Sequence, residues 1–180
     1  MTLTLSSCLR KQSLISVRRR NIDDYEIQGF LVGLSENLMA LEYVHDFQVD
    51  GLMVLRRADI TDERRTGTDE FQEKLLRDEG VRSGTQIQSP LKLDEWRSAL
   101  EHLAETYEYM ILERELGPAP EFAIGRPVRI TAAQIEFQAF SGTARWYPKT
   151  ERFKYSQLTS VRINTRYLGF YQRHFARGVA

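Results

Sequence analysis

One cysteine, Cys8, stands in 180 residues. A single thiol excludes an internal disulfide, and a chain that forgoes disulfides fits a cytoplasmic home better than a secreted one. Long hydrophobic runs are missing too. No segment approaches the roughly 20 apolar residues of a membrane helix, so no membrane contact is expected. The stretch Leu5-Ser6-Ser7-Cys8 looks like the end of a lipoprotein signal. Only seven uncharged residues precede the cysteine, too few for the basic start and the apolar run of about 7–15 residues that a signal needs. Net charge is absent, at +0. No glycine-x-serine-x-glycine elbow, phosphate loop or dinucleotide glycine pattern occurs, which removes the usual marks of a hydrolase or a nucleotide-binding enzyme. The sequence therefore predicts no enzymatic activity, no cofactor and no metal.

What is there is an ordinary globular composition, 42% apolar and 28% charged, with enough apolar material for a core. The zero total conceals an uneven distribution. Residues 1–20 carry five basic and no acidic residues, residues 21–120 ten basic and 22 acidic, and residues 121–180 ten basic and three acidic. A basic end of net +7 either meets an acidic partner or is neutralised by the acidic middle within the fold. The neutral total favours the second outcome.

Periodicity divides the chain. Residues 13–18, 27–34, 37–44 and 52–56 read as strands, with Ser35-Glu36 as the tight turn of a hairpin and Asp50-Gly51 as a second turn pair. The stretch ADITDER reads as a short fifth strand. A helix follows, capped by Thr68 or Asp69, with Phe71, Leu75 and Leu76 on one face and Gly80 as its stop. Residues 80–90 form a linker. A second helix runs from about Asp94 to Tyr107, with Trp96, Leu100, Leu103 and Tyr107 as its apolar stripe. Strands resume at 108–114, 122–130 and 134–140, and everything after them, including YLGFYQRHF, reads as the remainder of an all-β unit.

The two hairpins repeat one pattern. Aligning Gly29 with Gly125 matches Leu14 to Met110, Ile15 to Ile111, Val32 to Val128, Leu34 to Ile130, Met39 to Ile135 and Leu41 to Phe137. Val54 and Ile60 then match Tyr155 and Val161 across a longer offset. Several matches in one order favour duplication. Alternation predicts that Val32, Leu34, Val128 and Ile130 point inward. A five-stranded sheet this small avoids open edges by curling into a barrel. The expected fold is mainly β with α additions: two small five-stranded barrels, residues 1–66 and 108–180, joined by a helical connector at 67–107.

Gly29, Leu31, Gly33 and Leu34, followed by Leu38, resemble the first motif of Sm-like proteins, whose fold is a five-stranded SH3-like barrel. Arg56 and Arg57 stand where the second motif carries a basic–glycine pair, without the glycine. The resemblance implies a tandem of such barrels. It does not carry RNA binding across, because Ser35 and Met39 occupy the positions of the acidic residue and asparagine that help form the base pocket in RNA-binding Sm proteins. The chain is also similar to bacterial proteins with a comparable DG…ITDER stretch, a likeness that implies no activity.

Candidate chemistry is thin. His45 and Asp46 are neighbours in a strand and face opposite ways, so they do not converge on one proton. His102 and Glu105 share a helix face but lack the further ligands a metal wants. Cys8 has no histidine partner and reads as incidental. The densest constellation is ARWYPKTERFKY, in which Arg145, Lys149, Arg152 and Lys154 interleave with Trp146, Tyr147, Phe153 and Tyr155. Cations neutralise phosphates and aromatic faces stack on unpaired bases. The plainer account is a strand whose aromatics are core and whose charges face water. The sequence thus predicts a non-enzymatic interaction module that binds a protein, through edge strands or the acidic middle, with homo-oligomers forming through barrel edges. The alternative is single-stranded nucleic-acid binding by Arg145, Trp146, Tyr147, Lys149, Arg152 and Lys154.

Overall fold

A computed structural model describes residues 4–81 and 90–178; most of the linker read at 80–90 lies outside the described residues. The elements run α1 (Leu5–Lys11), β1 (Leu14–Arg18), β2 (Glu26–Leu34), β3 (Leu38–His45), β4 (Gln48–Arg56), β5 (Asp62–Arg64), α2 (Gly67–Asp78), α3 (Trp96–Ala104), β6 (Met110–Arg114), β7 (Glu121–Ile130), β8 (Gln134–Ala139), β9 (Glu151–Lys154), β10 (Ser160–Ile163) and α4 (Arg166–Ala176). All ten strands join one antiparallel sheet in the order β5-β1-β2-β3-β4-β10-β6-β7-β8-β9.

This corrects the expectation of two barrels, because the sheet is not closed. The reason lies in the middle of the strand order. β4 pairs with β10, with Leu55 opposite Ser160 and Leu52 opposite Ile163. Each half thus satisfies its edge on the other half instead of by curling onto itself. Gly51 makes the seam close: its φ is +79°, and a methyl carbon there would fall 2.8 Å from the Asn164 carbonyl oxygen.

The order of elements repeats. Each half has a helix, four antiparallel strands, a 3-10 turn (Arg57–Asp59 or Tyr155–Gln157), a fifth strand that returns to pair with the first, and a closing helix. Residues 67–107 hold α2 and α3, which stand one in each half. The registers agree as well. Gly29 faces Tyr43 and Gly125 faces Ala139; Leu34 faces Met39 and Ile130 faces Ile135. Both second strands carry a bulge at the same place, between Leu31 and Gly33 and between Pro127 and Arg129. Met39 opposite Leu55 corresponds to Ile135 opposite Phe153, so β4 maps on β9 at an offset of 98. The matches are corrected accordingly: Val54 corresponds to Arg152 and not Tyr155, Met110, which faces Gly125 as Ile15 faces Gly29, corresponds to Ile15 and not Leu14, Ile111 corresponds to Ser16 and not Ile15, and Val161 corresponds to Glu63 and not Ile60.

The bulges overturn one packing expectation. A bulge inserts an unpaired residue and reverses the alternation beyond it. Val32 and Val128 are the inserted residues. Val128 is 54% exposed, Val32, Leu34 and Ile130 are only half-buried, and the second strands place Leu31, Ala123 and Ile124 inside instead.

The core has layers. Ile15, Val17, Leu31, Met39, Leu41, Met53 and Leu55 form the inner face of the first half, covered by α1 through Cys8. The second half's inner face, with Met110, Leu112, Ile135, Phe137 and Phe153, is continuous with Leu38, Ala40, Leu52 and Val54 and is covered by α3 through Trp96, Leu100 and Leu103. β3 is buried along nearly its whole length because both its faces are covered. Cys8 is therefore a core residue and not an incidental one at a loose end; burial pushes its thiol pKa up.

Three helices differ from expectation, the first being α1, which stands where no helix is expected. YLGFYQRHF is not strand but α4, capped by Thr165, whose side chain accepts the Leu168 N–H at 3.0 Å. Leu168, Tyr171 and Phe175 fall at helical spacing and pack against Tyr109, Ile111, Ile124 and Phe140. In α2, Phe71 is 61% exposed. The face turned inward is polar except for Leu76: Glu73 accepts the Leu14 N–H at 2.9 Å and Asp69 accepts the Ser16 hydroxyl at 2.6 Å. Burial pushes the Glu73 carboxyl up, but the Leu14 N–H, Arg77 and Arg65 outweigh it and hold it below the ordinary value.

Candidate functional site

An open sheet has two edges, and here they are β5 and β9. β9 belongs to the basic-aromatic stretch. The structure separates that stretch into inward and outward parts. Phe153 is buried edge-on to Phe137, with ring centroids 6.1 Å apart. Tyr155 donates its hydroxyl to the Thr131 carbonyl at 2.7 Å. Trp146 bridges to Phe140 and stacks on Phe175 at 5.2 Å, with the Arg126 guanidinium 4.7 Å from its ring. It is half-buried under α4 and is not an open stacking platform. Tyr147 is exposed, held by its N–H on the Ala139 carbonyl.

Arg145, Lys149, Arg152 and Lys154 all face solvent. Arg152 meets Glu136 at 3.4 Å, while Arg145, Lys149 and Lys154 have no ion-pair partner among the described residues. The expected neutralisation by the acidic middle is therefore partial: Arg126 meets Glu108 at 3.4 Å and Arg162 meets Glu113 at 3.0 Å, but Arg145, Lys149 and Lys154 do not take part. The acidic residues of α2 pair with Arg65, Arg77 and Lys74, and they lie beside β1, at the far end of the sheet from β9.

β9 also carries an acid in an unusual state. Glu151 shares a hydrogen bond with Glu121, and that contact, with burial and like charge, raises its pKa to about 7 against the pull of Arg114.

The other edge, β5, is short and charged. Its Glu63 meets Arg57 at 3.3 Å, and its Arg64 pairs with Glu26, which also meets Arg18 at 3.0 Å. Backbone groups on both edges follow a fixed phase. The Ser13 carbonyl accepts from Leu31, so β1 turns Ser16 and Arg18 toward β5, where the amides of their partners Arg64 and Asp62 turn inward and that of Glu63 turns outward; Tyr155 donates inward to Ala133, so those of Arg152 and Lys154 turn outward. Short length and outward charge are how natural edges resist casual pairing.

Where the halves meet, a cleft of about 610 Å³ is lined by Asn37, Arg56, Arg57, Trp96 and Tyr155. Arg56 is committed there, gripping Asp59 through two nitrogens at 2.8 Å and donating to the Ser156 carbonyl at 2.7 Å. Arg19 adds a second tie across the seam, to Glu115 at 2.7 Å.

His45 lies 3.5 Å from Asp46 on an exposed turn, and His102 3.9 Å from Glu105. Among the described residues no three His, Cys, Asp or Glu side chains gather as metal ligands, and no helix is long and apolar enough to cross a membrane. Glu63, Arg64 and Glu151 carry no signal in the sequence, because an edge is a property of strand order and no local pattern encodes it. Set against known protein families, curated proteins and solved structures, the chain matches none.

Proposed function

We propose that this protein is a non-enzymatic interaction module whose partner is a protein, engaged through the free edges of its sheet. The observation that carries the reading is the open strand order, which ends in β5 and β9 with outward amides and alternating charge. An extended segment added to such an edge gains main-chain hydrogen bonds, and the side chains on the edge select which segment fits. The non-enzymatic part rests on the sequence, which carries no nucleophile or phosphate-loop signature. So does the cytoplasmic location, which rests on the lone cysteine.

The two halves read as tandem copies of one Sm-like, SH3-like unit. Supporting this are the shared strand order, the 3-10 turn before each fifth strand and the coincident bulges.

The test is affinity capture from the native host with the wild type and with Arg152→Pro, which removes an outward amide without touching the bonds to β8. A protein retained by the wild type and lost by the variant is expected. Equal capture by both refutes edge binding. A second reading, polyanion binding, is favoured by the unpaired Arg145, Lys149 and Lys154. It predicts single-stranded RNA binding that weakens with salt, by about −0.7 in log–log slope per displaced counterion, and that Arg145→Glu with Lys149→Glu abolishes. Trp146→Ala is expected to act through the fold instead of through base stacking.

A further inference from the structure

We infer that the segment that fills the β9 edge is β5 of a second copy of this chain, in a head-to-tail contact that repeats the β4·β10 seam. The inference rests on the edge-binding reading above and names its partner.

The seam shows what the two kinds of edge do together. It joins the fourth strand of one half to the fifth strand of the other. The edges left over are the fifth strand of the first half, β5, and the fourth strand of the second half, β9. They are the same pair of edge types, and they lie at opposite ends of the sheet, so one chain presents one of each.

The equivalences between the halves fix the register. Within the chain, Val161 faces Val54 and Arg162 faces Met53. Val161 and Arg162 correspond to Glu63 and Arg64, which take the same places beside β1 that the former take beside β6. Val54 and Met53 correspond to Arg152 and Glu151. Transferred between chains, the seam therefore sets Glu63 opposite Arg152 and Arg64 opposite Glu151. Opposite charges meet at both positions, where any single-residue slip would set like against like at one of them or leave a charge unmatched. The two pairs lie on opposite faces of the sheet, since neighbours in a strand alternate.

The backbone agrees. At the seam Arg56 donates its N–H to the Thr159 carbonyl at 3.2 Å. The corresponding groups are the Lys154 N–H and the Thr61 carbonyl, and the Lys154 amide is among those already turned outward. The charges also connect to their surroundings. Arg57–Glu63 and Arg152–Glu136 would join into one alternating row on one face. On the other, the cation Arg64 would stand beside Glu151, an acid that now shares a hydrogen bond with another acid.

A contact between two different edges is heterologous: it closes into a ring or runs on as a filament. Multi-angle light scattering of the purified full chain tests it. The expected result for the wild type is a mass that is a multiple of 21.0 kDa, constant with concentration for a ring and growing for a filament. Glu63→Arg and Arg152→Glu each set like charges across the contact and should weaken association at least tenfold. Mixing the two variants in equal amounts should restore it, because each then finds the opposite charge on the other. That rescue is a result no folding defect reproduces. A wild type of 21.0 kDa up to several hundred micromolar, or single variants that assemble like the wild type, would overturn the inference. If the chain is monomeric but still captures a host protein that Arg152→Pro loses, self-pairing fails and edge binding stands. If the edge-dependent capture is also absent, both fail.

Discussion

Gly29 and Gly125 stand at equivalent places on β2 and β7, and the structure assigns both the same reason for lacking a side chain. A methyl carbon built on Gly29 lies 2.5 Å from the Glu42 carbonyl oxygen, and one built on Gly125 lands on the Gln138 carbonyl and 2.8 Å from the Ala139 Cα. These neighbours are backbone of the adjoining strand and have no rotamer to yield. Gly125→Ala must therefore pry β7 from β8. Losing two ladder bonds at about 1 kcal/mol each, with overpacking of about 1 kcal/mol or more, puts the cost near 3 kcal/mol. Gly29→Ala, with slightly more room, should cost about 2 kcal/mol. Gly67 is the control. It opens α2 with nothing within 4 Å of a built methyl, so alanine should leave stability unchanged or raise it by up to about 0.5 kcal/mol. Urea unfolding followed by tryptophan fluorescence reads all three. With a slope of about 2 kcal/mol per molar, Gly125→Ala should lower the midpoint by about 1.5 M. If Gly29→Ala and Gly125→Ala both unfold within about 0.3 M of the wild type, the common close approach is wrong.

Truncating the bulge residue in Val128→Ala should change stability by less than about 0.5 kcal/mol, whereas Phe137→Ala, fully buried, should cost about 3–5 kcal/mol; the reverse order in a denaturant titration would mean the bulge is misplaced. The raised Glu151 carboxyl binds its proton more tightly folded than unfolded. Its stabilisation is therefore present at low pH and lost as pH rises from the ordinary 4.5 through about 7. Glu121→Gln removes the facing acid and should flatten the fall in melting temperature between pH 5.5 and 8; an unchanged slope would assign the pH dependence elsewhere. Asp69 and Glu73 work the other way. Burial raises both, but hydrogen bonds from Ser16 and Thr66 to Asp69, and from Leu14 and Arg77 to Glu73, leave their pKa values depressed. They stabilise above the ordinary carboxyl range and cease to as pH falls through their folded values. Glu73→Gln should therefore lessen the loss of stability on acidification, seen as a shallower fall of the urea midpoint below pH 4.5.

Local pattern disclosed the strands and the helix α3 because their signals are local: alternation in LMALEYV, a four–three stripe in Trp96, Leu100 and Leu103. The repeat was legible for the same reason, since Gly29 and Gly125 lead the same alternation. It failed where an inserted residue changes phase. Val32 and Val128 keep an apolar identity at the bulge, so alternation carried through them turns the wrong residues inward. It fails at α4, where four aromatic residues suggest strand although Leu168, Tyr171 and Phe175 fall at helical spacing. In α2 the inward face is built from Asp69 and Glu73, and no hydrophobic count finds carboxylates whose task is to satisfy buried donors of β1. The edges were the least legible of all. Whether Glu63 and Arg152 border solvent depends on which strands pair, and the seam that decides it joins residues far apart in the chain.

That separation has a consequence for how the protein is made. β4 contains Leu52, Met53, Val54 and Leu55, and its outer partner β10 begins at Ser160, 105 residues after Leu55. At about 5–20 residues per second, a ribosome delivers that partner about 5–20 s late. During the delay the first half has its own five strands, but its apolar fourth strand, paired with β3 on one side, has no neighbour on the other, a template for pairing with any other nascent chain. The long wait is inherent in the topology and independent of sequence detail, because pairing across so great a separation is slow to close. A chain that stops before residue 160 keeps that edge for good, so premature termination or cleavage after β9 turns a folding protein into an aggregating one.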